Sequence, residues 1–210
     1  MGEYVVKNYR VGMIQTNCYF MINTETKKGL IIDPGEQPDT LLRRMKADDF
    51  TPEAILLTHG HFDHVMGVEK IRQETGVPVY LHEAERTTLR DTIAQMFPQM
   101  NKSGLTVPVD VWMSGEPVLD LAGFQIKVYF TPGHTSGGVS YYFPNEGVLF
   151  SGDTLFAGSI GRTDFPGGSY STLIRSVEEK LFPLPAKTKV YPGHEGETTI
   201  GHERSYNPFF

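Results

Sequence analysis

Cysteine is nearly absent: Cys18 is the one thiol in 210 residues. A single thiol excludes an internal disulfide framework. It lies in the strand-like run Asn17-Cys18-Tyr19-Phe20-Met21-Ile22, where a small buried side chain is expected rather than a nucleophile. Positive charge is also short. With 19 Lys and Arg against 25 Asp and Glu, the formal net charge is −6, which argues against general nucleic-acid binding. The sign of a small substrate does not follow, because bound metal cations would offset part of the deficit. No apolar run approaches the length of a membrane span, and Met1-Gly2-Glu3-Tyr4 lacks the basic and apolar regions of a secretory signal. A cytoplasmic protein with no membrane partner is the expectation. No low-complexity linker divides the chain, so one domain over residues 1–210 is expected, long enough to bury a sizeable core.

What the chain does contain is an alternation of strand and helix signals. Tyr4 to Tyr9, Cys18 to Ile22, Leu30 to Ile32, Ala54 to Thr58 and Val77 to Leu81 read as strands. Pro38 opens a helix with Leu41, Leu42 and Met45 on one face. Val65 to Thr75 reads as a second helix, stopped by Gly76. Glu83 to Ser103 reads as a helix followed by an irregular segment around Phe97-Pro98-Gln99-Met100, with its Met and Phe side chains expected in the core rather than over a pocket. The second half is richer in strands: Val118 to Leu121, Gln125 to Phe130, Val139 to Phe143, Val148 to Phe150 and Lys189 to Tyr191. Between the last two, Ser169 to Phe182 forms a helix capped by Ser169 or Ser171 and ended by Pro183. Interleaved strands and helices predict a layered α/β protein. A short echo links Leu30-Ile31-Ile32-Asp33-Pro34-Gly35 to Val148-Leu149-Phe150-Ser151-Gly152-Asp153, as two similar halves would.

The chemistry gathers at strand ends. Thr58-His59-Gly60-His61-Phe62-Asp63-His64 packs four potential metal ligands into six residues, directly after Ala54-Ile55-Leu56-Leu57. Imidazole and carboxylate together suit zinc and its first-row neighbours. In an extended chain His59 and His61 share a side, while Asp63 and His64 fall where the helical pattern begins. Phe130-Thr131-Pro132-Gly133-His134 and Val190-Tyr191-Pro192-Gly193-His194 repeat the logic of a strand, a glycine turn and a histidine. Leu149-Phe150-Ser151-Gly152-Asp153 does so with a carboxylate. Five of the seven histidines occupy these turns. His82 and His202 lie outside the pattern and read as surface residues, and Glu195 as a solvated loop acid. Asp33, ending a strand in the style of Asp153, is either a turn residue before Pro-Gly or a partner for a ligand histidine.

The set His59, His61, Asp63, His64, His134, Asp153 and His194 resembles the ligand set of the metallo-β-lactamase superfamily. Within it the chain most resembles the glyoxalase II (hydroxyacylglutathione hydrolase) branch, in a compact bacterial form without the C-terminal helical domain. That resemblance implies an αββα sandwich with metals at one edge between the sheets. It implies one divalent ion on His59, His61 and His134, a second on Asp63, His64 and His194, and Asp153 bridging them. Zinc is the first expectation, and iron and manganese fit the same donors. Such ions sit about 3.5–4 Å apart and share a hydroxide, made available by lowering the pKa of bound water to about 7. Asp63 and Asp153 then belong to the catalytic centre as ionised ligands rather than as general acids. The implied reaction is hydrolysis of a thioester such as S-lactoylglutathione by metal-bound hydroxide. A thiolate leaving group, with a parent pKa near about 8.5, needs no separate acid.

Two departures bear on substrate. The glutathione-binding enzyme continues into a helical region with basic contacts to the tripeptide, whereas here only Tyr206-Asn207-Pro208-Phe209-Phe210 closes the chain. The loop from Gly158 to Gly168, with Gly161-Arg162-Thr163-Asp164-Phe165, differs from the lysine- and tyrosine-bearing loop of that enzyme and partly resembles the persulfide dioxygenases. Arg162 either holds a substrate carboxylate or pairs with Asp164 to brace the loop. Three other readings stand beside the hydrolase. One is a mononuclear-iron persulfide dioxygenase using His59, His134 and Asp153. Another is a lactonase or β-lactamase-type ring-opening hydrolase. The last is a non-catalytic scaffold.

Overall fold

Burial explains why some strands alternate and others do not. In β8 (Phe124–Phe130), Phe124, Ile126 and Val128 are buried while Gln125 and Lys127 face water. In β2 (Thr16–Asn23) and β10 (Val148–Gly152) every position is buried, because these strands lie in the middle of their sheets with cover on both faces. The computed structural model describes residues 3–96 and 107–210. The expectation for Phe97-Pro98-Gln99-Met100 lies outside the described residues.

The first sheet runs β1 (Tyr4–Val11), β2, β3 (Lys28–Ile32), β4 (Thr51–Leu56), β5 (Val79–His82) and β6 (Val111–Met113). The second runs β14 (Thr198–Thr199), β13 (Lys189–Pro192), β10, β9 (Val139–Phe143), β8 and β7 (Val118–Leu121). Side chains from the inner faces, among them Tyr19, Met21, Phe124, Ile126, Tyr141 and Phe150, form the central core. The other face of the first sheet packs Phe20, Ile31 and Ile55 against Leu41 and Met45 of α1 (Pro38–Ala47) and Val68 and Ile71 of α3 (Val68–Thr75). The other face of the second sheet packs Leu149 and Val190 against Leu173 of α5 (Tyr170–Ser176) and Ile200 of α6 (Ile200–Tyr206). Helix, sheet, sheet, helix is the αββα order expected. The echo between the halves is topological as well. β3 is antiparallel to β2 and parallel to β4, just as β10 is antiparallel to β9 and parallel to β13.

The differences from the sequence reading are local. The helix expected over Val65 to Thr75 is two, α2 (Phe62–Val65) and α3. The break falls at Gly67, whose N–H donates to Pro34 O at 2.9 Å and where a Cβ would come within 2.6 Å of that oxygen. The kink lets Asp63 and His64 turn inward while Val68 and Ile71 stay in the outer core. The late helix ends as α5, and Val177–Leu181 continues it as a wider turn in which Phe182 N–H reaches back to Val177 O. Ser169 caps α5 by accepting from Thr172 N–H. β6, β14, α6 and the hairpin β11 (Leu155–Phe156) and β12 (Ser159–Ile160) were not expected. α6 docks the tail on the domain: Asn207 Nδ2 donates to Ser159 O and to Glu203 Oε2. Among the described residues no helix is long and apolar enough to cross a membrane.

Candidate metal centre

Four strands end on one edge of the sandwich, two of them as neighbours in the second sheet. After β4 the chain turns through His59-Gly60-His61 and enters α2, which carries Asp63 and His64. β8, β10 and β13 end just before His134, Asp153 and His194. Glycine is required where these turns touch. Gly152 has φ +51, and a Cβ there would collide with the Thr58 side chain. A Cβ at Gly193 would meet Asp153 Oδ1, with His64 Cε1 only 2.8 Å away.

All seven predicted ligands converge. His59, His61 and His134 form one group of donor atoms mutually within 4.8 Å, and Asp63, His64 and His194 another; His59, His64 and Asp153 form a third that joins them. Asp153 Oδ2 lies 3.5 Å from His134 Nε2 in the first group and 3.5 Å from His194 Nε2 in the second. His64 Nε2 is 3.2 Å from Asp63 Oδ2 and 3.4 Å from Asp153 Oδ1. Three buried atoms here, His59 Nε2, His64 Nε2 and Asp153 Oδ1, have no hydrogen-bond partner among the described residues. Buried polar atoms are nearly always satisfied, so three such atoms together in a nitrogen and oxygen donor set fit a pair of divalent cations.

Neighbouring groups hold the rings with those atoms free. Asp33 Oδ2 accepts from His64 Nδ1 at 2.9 Å and from Thr58 Oγ1 at 2.6 Å, and Asp33 Oδ1 accepts from Thr58 N–H at 2.8 Å. With its proton on Nδ1, His64 presents Nε2 as a donor atom. Asp33 is therefore the partner of a histidine of the cluster, and it is held at φ +49. His134 Nδ1 donates to Arg162 O at 2.7 Å, which leaves Nε2 facing the cluster. Thr16 Oγ1 donates to Asp63 Oδ2 at 2.7 Å, and Asn17 Nδ2 donates to Pro192 O and Glu195 O on either side of His194. The roles of Thr16 and Asn17 were not legible in the sequence, since nothing sets them apart from other polar residues at a strand start.

Electrostatics divide the histidines of the metal-free site. Burial, with His64, His61 and His134 close by, holds His59 well below its ordinary pKa. Burial and His134 lower His61 to about 4. Burial opposes charge on His64 too, but Asp63, Asp153 and Asp33 outweigh it and raise its pKa. At His194 burial is likewise overcome, by hydrogen bonds to Asp153 and Asp63, which carry it up to about 9. Burial would raise the Asp63 and Asp153 carboxyls, yet facing His64 and His194 both fall below the carboxylate range. Below about pH 9, then, the metal-free site carries protons that a cation must displace. Loading with zinc at pH 7.5 is expected to release protons, and fewer at pH 10. Calorimetry in buffers of different ionisation enthalpy reads the number, and zero release at pH 7.5 would contradict the assignment.

Beside the cluster opens a cleft of about 460 Å³, lined by Ile14, Phe62 and Phe165, by Thr87, Thr88 and Thr92, and by Arg162, with His61, Asp63 and His194 at its floor. The three threonines come from α4 (Arg86–Met96), so this part of the Glu83 to Ser103 segment faces the cleft as well as the core. Arg162 lines the cleft and also braces its loop: Nε and Nη2 donate to Asp164 at 2.7 Å each, and the guanidinium lies 3.8 Å over the Phe165 ring. Arg162→Ala is expected to leave metal content unchanged and to raise KM more than it lowers kcat. Unchanged KM would leave bracing as its one role. His82 corrects an expectation: it is 5% exposed rather than a surface residue, because it ends β5 beside Phe130 and accepts from Ala84 N–H. His202 and Glu195 are exposed, as expected.

The family profile of the metallo-beta-lactamase superfamily matches residues 11–194, a span that holds all seven residues of the cluster. The chain is 41% identical over 206 residues to the "Probable metallo-hydrolase YqgX" of Bacillus subtilis, covering 95% of this chain and 94% of that one. It is 36% identical over 201 residues to the "Hydroxyacylglutathione hydrolase GloC" of Haemophilus influenzae, covering 95% and 94%. Among solved structures, that of "BLEG-1 B3 metallo-beta-lactamase" superposes with a TM-score of 0.90 at 43% identity, over 98% of this chain and 99% of that one. That of "TTHA1623 in a di-iron-bound form" superposes with a TM-score of 0.82 at 37% identity, over 97% and 100%.

Proposed function

The chain belongs to the metallo-beta-lactamase superfamily, and we propose that it is a two-metal hydrolase that cleaves a thioester such as S-lactoylglutathione. The observation that carries this reading is Asp153, set between two three-donor groups and 3.5 Å from a histidine of each. His59, His61 and His134 would hold one ion, Asp63, His64 and His194 the other, and Asp153 both. Ions in these positions supply a polarised carbonyl and a water activated at neutral pH. Zinc is the first choice of metal, and the related di-iron-bound structure keeps iron open.

The chain's own residues set the conditions for that chemistry. Asp63 and Asp153 stay ionised and contribute two negative charges to the centre. Neither is a proton donor to the leaving group, and a departing thiolate needs none, since thiols ionise near about 8.5. Asp33, Thr16 and the Arg162 carbonyl fix the orientation of His64, Asp63 and His134 before substrate arrives. The cleft offers an apolar side at Ile14, Phe62 and Phe165 and a hydroxyl side at Thr87, Thr88 and Thr92, a combination suited to a small acyl group joined to a thiol carrier.

The test is metal analysis and S-lactoylglutathione hydrolysis on one sample, with nitrocefin hydrolysis and oxygen uptake on glutathione persulfide run beside them. Near two metals per chain with thioester turnover supports the reading. One iron with oxygen uptake and no hydrolysis would replace it with persulfide oxidation, and turnover of nitrocefin alone would replace it with β-lactam opening.

A further inference from the structure

Glu85 is fully buried although it carries a carboxyl group. It sits in the short helical turn Glu83–Glu85 between β5 and α4. Oε2 accepts from Gly60 N–H at 2.7 Å, and Gly60 lies between His59 and His61. Oε1 accepts from Gly137 N–H at 2.7 Å, in the turn that carries His134. Ser136 Oγ adds a bond to Ala84 O at 3.3 Å. The first turn belongs to one sheet and the second to the other, so one carboxylate bridges the seam beside the metal cluster. The approach at Gly137 leaves no room for a side chain, and that at Gly60 is tight. A Cβ at Gly137 would lie 2.6 Å from Glu85 N and 2.8 Å from Oε1, and one at Gly60 would lie 3.1 Å from Oε2 and 3.0 Å from Leu89 N.

From this geometry we propose that Glu85 is a positioning residue for the His59, His61 and His134 group. Its carboxylate oxygens accept from backbone N–H groups, and it is not among the residues that line the cleft. Its two hydrogen bonds fix the spacing between the turn that supplies His59 and His61 and the turn that supplies His134. A backbone bond from Val139 N–H to Thr58 O at 2.9 Å also joins the two turns at the strand ends, and Glu85 adds a side-chain link at Gly60 and Gly137, nearer the histidines. The second group, Asp63, His64 and His194, is held instead through Asp33, Thr16 and Asn17.

Glu85→Gln tests this. The amide keeps the shape but offers one acceptor oxygen, so its NH2 must face one of the two backbone N–H donors. Cobalt(II) titration with chelator competition and visible absorption reads the two binding steps, and His61→Ala identifies the step of the first group. Glu85→Gln is expected to weaken that same step by about 10–100-fold, as loss of an outer partner does, and to alter its absorption band. The other step should stay within roughly threefold, since independent sites respond separately. Equal weakening of both steps, weakening of the other alone, or a fall in Tm with both affinities intact would overturn the proposal. Should Glu85→Gln fail to fold, Glu85→Asp keeps the charge one methylene short and is read the same way. The inference rests on the two-metal reading above, but the titration uses cobalt(II) and no substrate, so absence of thioesterase activity alone would leave it standing.

Discussion

Asp153→Asn is expected to lower thioester hydrolysis by on the order of 10³-fold or more and to reduce bound metal from two ions toward one or none. The substitution barely changes shape. Its force comes from replacing one carboxylate oxygen with an NH2 that cannot bind a cation. Asp153 approaches His64 through Oδ1 and His134 and His194 through Oδ2, so an NH2 in the Oδ1 position faces the second group and one in the Oδ2 position faces both. It also removes one of two negative charges from a buried centre that would hold two dications. Metal per chain, kcat/KM and the Tm of the metal-free protein should be measured together. A variant with two tightly bound ions and full activity would show that Asp153 is not shared between the groups. Equal loss of Tm in the metal-free state would instead assign it to folding.

Asp33→Ala is expected to destabilise the protein by about 3–5 kcal/mol, the usual result of removing one partner of a buried charged pair, and to lower Tm by roughly 10 °C or more for a chain of this size. Asp33 accepts three hydrogen bonds, two of them from Thr58 and one from His64, and alanine satisfies none. Asp33→Asn separates stability from chemistry. The Asn oxygen can still accept from Thr58 N–H, but its NH2 would donate to His64 Nδ1 and send the imidazole proton to Nε2, the atom that faces Asp63 and Asp153. The Asn variant should therefore keep most of its Tm and lose metal affinity by about 10–100-fold. Wild-type affinity in Asp33→Asn would sink the claim that this carboxylate sets the tautomer.

Which parts of this arrangement could be seen in the sequence follows from how each is encoded. That His59, His61, Asp63 and His64 would gather was legible because four potential ligands fall within six residues, and that His134, Asp153 and His194 would join them because each follows a short apolar strand and a glycine. Strands buried on both faces, such as β10, appear as apolar runs and were found by their apolar part, Val148 to Phe150, while the strand runs on through Ser151 and Gly152. The break between α2 and α3 was hidden because Gly67 interrupts a helical pattern only through its contact with Pro34, 33 positions earlier in the chain. β14 and the β11–β12 hairpin are two-residue strands, too short to show a period. His82 looked like a surface residue because nothing in its own sequence shows that Phe130 will cover it. Glu85 was invisible for a related reason: its partners are backbone N–H groups at positions 60 and 137, and no side-chain pattern records a backbone donor.

Each three-donor group draws on both sheets: His59 and His61 with His134, and Asp63 and His64 with His194. A cation seated there would be a cross-brace between two halves that meet through the central apolar core and a few hydrogen bonds, those of Glu85 and Asn17 among them. Tolerance to heat thus becomes partly a property of the surrounding medium, since an ion held at a hundred times its Kd adds about 2.7 kcal/mol to the folded state. Chelation should loosen the interface between the sheets while leaving the helix-covered outer faces tight. Amide exchange would show this as faster exchange in β10 and β4, near the ends that lead into the histidine and aspartate cluster, than in α1 or α5. Ions bound for chemistry would then also govern how long the fold survives where metal is scarce.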